Sequence, residues 1–189
     1  MPGAPLHALT LAVDAFGRLV GAVRPEQWAS PTPCPEWDVR QLVGHVVAGQ
    51  RLTARALAPD TEPPATGALP EDDPAAAYAS SATAMLDAFA APGVLERPVA
   101  MPAGTVPGVV AVHLRTTEAL VHGWDLCRAT GQPLDVPDTI AEAELAFSRP
   151  MLAQLPPERR PFAASKPVAD DAPALDRLAA LLGRDVAAG

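Results

Sequence analysis

The stretch RTTEALVHGWDL, residues Arg115–Leu126, is the most informative part of this sequence. It lies in an apolar segment over residues 109–130 that has the periodicity of a long buried helix. At 100° per residue, Glu118, His122 and Asp125 fall on one helix face together with aliphatic side chains. A solvated face would not carry those aliphatic residues. The polar face of this helix is therefore predicted to point inward.

Two interpretations of this polar face remain open. Glu118 and His122 are four residues apart, so their β-carbons lie roughly 6 Å apart on the helix surface. Both side chains can then reach one metal ion at bond lengths of about 2.0 to 2.2 Å. The alternative is a buried hydrogen-bonded network of Glu118, His122 and Arg115 that only orders the helix, and the Glu-x-x-x-His pair alone does not choose between them.

An earlier helix supplies a second histidine. Asp38 is followed three residues later by Gln41, which is the pattern of a helix N-cap. In the helix that starts there, His45 borders the apolar face, next to Gly44 and close to Gly49. Each of these glycines costs roughly 1 kcal/mol of helix propensity relative to alanine, so close packing or a nearby ligand is expected to compensate.

His45 taken alone is also compatible with a satisfied core residue. Taken with Glu118 and His122, it completes a set of two imidazoles and one carboxylate from two helices. This set matches a catalytic zinc site with an open fourth position. The sequence therefore predicts a divalent metal, with zinc expected, on these three residues.

The remaining periodic segments predict the architecture. Apolar residues recur with helical spacing over residues 5–23 and 74–91, whereas residues 95–108 predict an irregular or hairpin-like crossover. A shorter helix is expected from about Asp138, interrupted by Pro150, and a last one over residues 174–184. We predict an all-α fold, an antiparallel four-helix bundle with short additional C-terminal helices, in a single domain over residues 1–189.

Composition and charge exclude several classes of protein. The chain has 189 residues with 22 acidic and 14 basic side chains, a net charge of −8 and a pI of about 4.9. Such a chain repels nucleic acid and anionic membranes, so neither is expected as a partner. No stretch approaches the roughly 18 apolar residues of a membrane span. The N-terminus lacks the charged region of a signal peptide, so a cytoplasmic location is expected.

Several further residues carry alternative roles. Arg115 either steadies a substrate carboxylate or pairs with Glu118, and Asp125 either accepts a hydrogen bond from a ligand imidazole or caps another loop. These two residues are the candidates for a catalytic role. Cys34, in a proline-rich loop, is expected to be a small buried residue rather than a redox thiol, and Cys127 to be a second free thiol. Two other histidines, His7 and His113, are expected to be partly exposed. At least two of the three tryptophans are expected to anchor the core: Trp28, Trp37, Trp124.

Three separated segments resemble the DinB-like bundles of the mycothiol-dependent maleylpyruvate isomerase group, common in actinobacteria. PTPCPEWDVRQLVGHV, residues 31–46, resembles the entry to the second helix of that family. RTTEALVHGWDLCRATG, residues 115–131, resembles its Glu-x-x-x-His helix. APALDRLAALLGRDV, residues 172–186, is similar to the closing segment of its short members. The resemblance thus spans nearly the whole chain in order.

The resemblance implies a function for the three residues already selected. The metal ligands of the family fall on His45, Glu118 and His122, and the open position is expected to bind mycothiol as a thiolate. Isomerases of this group carry an additional C-terminal domain that contributes to catalysis. The resemblance of this sequence does not extend to that domain. The expected reaction is therefore transfer of the thiol to a small-molecule electrophile. A metal-dependent hydrolase and a non-catalytic, metal-stabilised binding bundle stay open as alternatives, and a homodimer stays open as the assembly.

Overall fold

The structure is a computed structural model that describes residues 4–58, 69, 73–101, 104–155 and 162–187. Over these residues the chain forms six α-helices, one short 3-10 helix and one two-stranded antiparallel ribbon. The α-helices are α1 (Ala4–Gly21), α2 (Val39–Leu57), α3 (Pro74–Ala90), α4 (Gly108–Thr130), α5 (Asp138–Gln154) and α6 (Ala174–Leu181). The 3-10 helix is Pro25–Gln27, and the strands are β1 (Pro98–Met101) and β2 (Gly104–Pro107).

The first four helices form the predicted antiparallel four-helix bundle. Helices α1 and α2 each pack against both α3 and α4, so that α1 and α2 lie diagonally across the core. Most of the largest fully buried side chains are aromatic or aliphatic, with Phe16, Leu42, Phe89 and Leu120 contributed by the four helices in turn. None of the described helices is both long and apolar enough to cross a membrane.

Capping residues fix the ends of the helices where the sequence predicts them. The Asp38 carboxylate accepts a hydrogen bond from the Gln41 backbone N–H at 2.8 Å, and the Gln41 side chain accepts one from the Asp38 N–H at 3.0 Å. This reciprocal pair satisfies two of the free N–H groups at the start of α2. Helix α4 ends at Gly131, whose φ of 74° is the left-handed conformation that glycine adopts without strain.

The crossover between α3 and α4 is the hairpin-like segment that the sequence predicts. Strand β1 pairs with β2 in the register Val99 to Val106, and both strands contact α4. Gly108 follows β2 directly and starts α4. A side chain at Gly108 would overlap the carbonyl of Val94, so the turn at Val94 and Leu95 can pass this close to the start of α4 only because residue 108 has no β-carbon.

The prediction that Pro150 interrupts the helix from Asp138 is wrong. Helix α5 is continuous over 17 residues and contains Pro150 in its interior, which also makes it longer than expected. Proline removes the N–H that would bond to the carbonyl of Ala146. Because Ala146 and Pro150 are both exposed, water can satisfy that carbonyl. Helix α5 packs against α4 and α6, and α6 packs back onto α4.

Candidate functional site

A cavity of about 520 Å³ lies between the loop before α2, helix α4 and the C-terminal segment, residues 162–187. Part of its lining is polar: Cys34, His45, Arg115, Glu118, His122, Arg184. Another part is apolar: Trp37, Met101, Leu114, Met151, Phe162. The fold thus brings the three predicted metal ligands to the wall of one cavity, although they come from two separate helices.

The two histidines of this cavity contact each other. The ring centroids of His45 and His122 are 5.2 Å apart, with the ring planes at 77°. Trp37 stacks on His45 with a centroid distance of 4.3 Å, and its ring also lies 5.8 Å from that of His122. The indole of Trp37 therefore covers both imidazoles and limits their movement.

Burial sets the protonation state of His45. Burial lowers its pKa below the ordinary value, and the neighbouring imidazole of His122 lowers it further, while Glu118 acts in the opposite direction. At neutral pH the ring of His45 is therefore neutral and keeps a nitrogen lone pair. A neutral imidazole is the form that binds a metal ion or accepts a proton.

The ring of His122 is oriented by a buried carboxylate. Its Nδ1–H donates to Asp125 Oδ2 at 3.1 Å, and Asp125 has no exposed side-chain surface. Burial raises the pKa of Asp125, but the hydrogen bonds from His122 and Arg184 outweigh it and hold the pKa below its usual range. Because Nδ1 is engaged in this bond, Nε2 is the nitrogen of His122 that remains for a ligand.

Glu118 is held by an ion pair on the same helix. Arg115 Nη1 lies 2.8 Å from Glu118 Oε2, which is the pairing the sequence offered for Arg115. Both groups lie against Gly49 of α2, where a β-carbon would sit 2.7 Å from Arg115 Nη1 and 3.5 Å from Glu118 Oε2. The missing side chain of Gly49 makes room for this ion pair. The Nε of Arg115 is buried and has no hydrogen-bond partner among the described residues.

The donor chemistry of the three residues fits a divalent ion of the zinc type, since two neutral imidazoles and a carboxylate are common zinc ligands. The positions of the side chains do not yet form a coordination sphere. Among the described residues, no three His, Cys, Asp or Glu side chains are grouped as they would be around a metal. Glu118 is paired through Oε2 with Arg115 in this arrangement.

Residues 9–127 match the family described as the mycothiol maleylpyruvate isomerase N-terminal domain. The chain belongs to this family. It is also 42% identical over 183 residues to uncharacterized proteins from two strains of Mycobacterium tuberculosis, CDC 1551 and H37Rv. These alignments cover 96% of this chain and 98% of each relative.

Crystal structures of the mycothiol-dependent maleylpyruvate isomerase, as the native enzyme and as a mutant, share the fold. Each matches with a TM-score of 0.57 and 18% sequence identity over 73% of this chain. The matched part spans 65% of the isomerase chain, which is less than two thirds of its length. The family match and the shared fold place the chain among the DinB-like helical bundles of this family.

The segment matched to the isomerase family contains His45, Glu118, His122 and Asp125 but ends before α5. Part of the cavity wall therefore comes from outside it, including Arg184. Arg184 was not predicted as a site residue, because an arginine at the end of the last predicted helix gives no local signal of burial; in the structure it follows α6, which ends at Leu181. Two apolar lining residues from outside the matched segment, Met151 and Phe162, were likewise not predicted.

Cys34 was predicted to be a small buried residue, but it is only partly buried and lies at the cavity wall. Cys34 is half-buried, lines the cavity and accepts a hydrogen bond at Sγ from Arg184 Nη2 at 3.6 Å. Burial raises its pKa, although the charge of Arg184 acts against this shift. The thiol is therefore mostly protonated at neutral pH. Both cysteines are free, as predicted, and burial raises the pKa of Cys127 to about 11.

A second polar cluster joins α4 to α5, and its Thr117 also lines the cavity. Glu144 of α5 is buried and accepts hydrogen bonds from the Thr117 hydroxyl at 3.0 Å and from His113 Nδ1 at 2.9 Å. His113 also stacks on Phe147, with ring centroids 4.4 Å apart. His113 is partly exposed, as predicted, but its carboxylate partner was not predicted. Of the tryptophans, Trp124 is buried and the partly buried Trp28 packs against the core, whereas Trp37 lines the cavity.

Proposed function

We propose that this chain is a metal-dependent enzyme that uses mycothiol at a site formed by His45, Glu118 and His122. The observation that carries the proposal is the meeting of two imidazoles, 5.2 Å apart and from different helices, at the wall of a cavity that Glu118 also lines. A histidine with a purely structural role in the core requires only a hydrogen-bond partner. That requirement does not explain why two histidines lie side by side at a cavity wall.

The three side chains have distinct roles in this proposal. His45 and His122 supply neutral nitrogen ligands, and Glu118 supplies a negative oxygen ligand, with zinc as the expected ion. A bound divalent ion lowers the pKa of a coordinating thiol, which provides a thiolate nucleophile at neutral pH. The chain itself positions the imidazoles, through Trp37 stacked on His45 and Asp125 bonded to His122.

Mycothiol as the thiol is supported by the family and by the isomerase that shares the fold, both of which are named for it. Isomerisation of maleylpyruvate is not carried over, because the match spans only 65% of that enzyme. Transfer of the thiol to a small-molecule electrophile is the reaction proposed here. The S–C bond forms as the thiolate sulfur attacks the electrophilic carbon, and the electron pair passes to the leaving group or to a conjugated acceptor.

The lining of the cavity favours the binding of an electrophile that has a largely apolar structure. Met101, Met151 and Phe162 supply an apolar wall, and burial of a ligand against it contributes through the hydrophobic effect. The two arginines that line the cavity already face carboxylates of the chain, Arg115 with Glu118 and Arg184 with Asp125. Their charge is thus largely balanced before any ligand enters.

The test replaces the metal with cobalt, because the absorption spectrum of a cobalt ion depends on which ligands it binds. Cobalt-loaded protein should develop a sulfur-to-metal charge-transfer band on addition of mycothiol, with release of a proton, because two histidines and a glutamate contain no sulfur. Glu118→Gln should lower both the affinity for the metal and the intensity of the charge-transfer band. A cobalt form that shows no such band but cleaves esters or amides would identify a hydrolase. Retained metal with neither property would identify a binding bundle.

A further inference from the structure

Arg184 is the C-terminal residue that reaches furthest into the site. Its guanidinium donates from Nε to Asp125 Oδ1 at 3.1 Å and from Nη2 to Asp125 Oδ2 at 2.8 Å. Nη1 donates to the Leu182 carbonyl at 3.0 Å. The residue is only 8% exposed. All three donor nitrogens of this buried cation are thus engaged, two of them by one carboxylate in the forked geometry that arginine favours.

The backbone around Arg184 is fixed by the end of α6. The N–H of Arg184 donates to the Ala179 carbonyl at 3.0 Å, and the N–H of Gly183 donates to Ala180 at 3.1 Å. Gly183 has a φ of 88°, which favours glycine, and a β-carbon there would approach that of Ala163 to 2.7 Å. The chain therefore leaves α6 in one defined direction and delivers Arg184 to the cavity wall.

Asp125 joins Arg184 to His122. Its Oδ2 accepts from both His122 Nδ1 and Arg184 Nη2, so one carboxylate oxygen connects the C-terminal segment to a proposed metal ligand. A buried carboxylate with a single partner could turn about its side-chain torsions. The fork from Arg184 fixes both oxygens and removes that freedom.

We propose that Arg184 is a positioning residue, which holds the Asp125 carboxylate so that His122 presents Nε2 to the cavity. The residue lies outside the segment matched to the isomerase family, so this support for the site comes from the part of the chain that the family match leaves out. The inference deepens the proposed function, because His122 is one of the proposed ligands. The hydrogen bonds among Arg184, Asp125 and His122 join side chains of the chain itself, so they can be tested separately from metal binding.

The experiment compares Arg184→Gln and Arg184→Lys with the control Arg177→Gln. Arg177 lies on α6 and pairs with Glu142 at the surface, so its loss disturbs the same segment without touching Asp125. The first readout uses metal-free protein with ¹⁵N-labelled histidine, of which the chain has four. The hydrogen-bonded Nδ1–H of His122 should be observed in the wild type and lost to exchange with water in Arg184→Gln. The His113 signal should stay unchanged as an internal reference.

The second readout is metal affinity. Arg184→Gln should weaken binding about 10- to 100-fold, as losses of ligand-orienting residues do, and Arg184→Lys should fall between it and the wild type. Arg177→Gln should match the wild type in both readouts. Asp125→Asn combined with Arg184→Gln should be no worse than the larger single effect, because both act through one carboxylate.

These outcomes separate the two proposals. If Arg184→Gln behaves like Arg177→Gln in both readouts, or if its effect adds to that of Asp125→Asn, the positioning role is overturned. A different result would refute the proposed function and retain the positioning role. In that result the wild-type protein binds no metal, and the His122 Nδ1–H signal seen in the wild type is lost in Arg184→Gln.

Discussion

Helix α4 carries two histidine–carboxylate clusters, and they differ in what their polar atoms do. In the first, His113 and Thr117 both bond to the buried Glu144, so each carboxylate oxygen has a partner from the chain. In the second, about 13 Å further along the helix, His122 faces a cavity with one ring nitrogen left over after its bond to Asp125. We refer to these as the closed cluster and the open cluster.

The comparison shows that a buried polar group does not by itself indicate function. The closed cluster meets its hydrogen-bonding needs internally and joins α5 to α4, which is a structural role. The open cluster contains a neutral His45, the Nε2 of His122 and a buried Arg115 Nε, and these last two nitrogens have no hydrogen-bond partner among the described residues. Unused donors and acceptors beside a cavity are the feature that predicts a ligand.

The largest expected difference between the clusters is in metal content. Wild-type protein should hold about one divalent ion per chain, and His45→Ala and His122→Ala should each lose it. His113→Ala should keep it, because His113 belongs to the closed cluster and does not line the cavity. Elemental analysis of protein purified without an affinity tag makes the measurement. Equal loss of metal from His113→Ala and His122→Ala would show that the two clusters do not differ in this way.

The next effect is on stability and should fall on the closed cluster. Glu144→Ala leaves Thr117 and His113 without their buried acceptor, which should cost about 2 to 4 kcal/mol of the free energy of unfolding. Metal content should stay the same. Urea denaturation measures the loss, with Glu142→Ala as control, because Glu142 lies on the same helix with its side chain 53% exposed. That surface pair should contribute less than about 1 kcal/mol. Similar losses in both variants would contradict a structural role for the closed cluster.

The open cluster was predictable from sequence because its main signals are local. The spacing of Glu118 and His122 fixes both on one face of α4, and the capping pair Asp38 and Gln41 sets the start of α2 and thus the phase of His45. The resemblance of residues 31–46 and 115–131 to a known family added to these signals. The helices of the bundle followed from the same periodicity, with helix-ending signals such as Gly131.

The rest depends on contacts that no local pattern encodes. The bond from Thr117 to Glu144 spans 27 residues, the bond from Arg184 to Asp125 spans 59, and the bond from Arg184 to Cys34 spans 150. Periodicity places a residue on a helix face but does not say which distant segment covers that face. For this reason the closed cluster, the burial of Arg184 and the position of Cys34 in the cavity wall were all missed.

The smallest expected effect separates two glycines of α2, both of which the sequence associates with close packing or a ligand. A β-carbon at residue 49 would meet Arg115 Nη1 at 2.7 Å, whereas one at residue 44 would meet, within the part of the chain that the structure describes, only Leu69 Cβ at an ordinary 3.7 Å. Gly44→Ala should therefore stabilise the protein by up to about 1 kcal/mol through helix propensity and leave the metal affinity unchanged.

Gly49→Ala should gain the same helix propensity but displace the Arg115 guanidinium. Because that group is the far end of a flexible side chain, the fold should adjust at little cost, and the consequence should fall on Glu118, whose ion pair with Arg115 is weakened. Metal affinity should then drop about tenfold, the lower end of the range for a lost ligand-orienting contact. Competition with a chromophoric chelator measures this change in both variants. If Gly49→Ala binds metal as tightly as Gly44→Ala, the Arg115–Glu118 pair does not orient the ligand, and the open cluster depends on its two histidines.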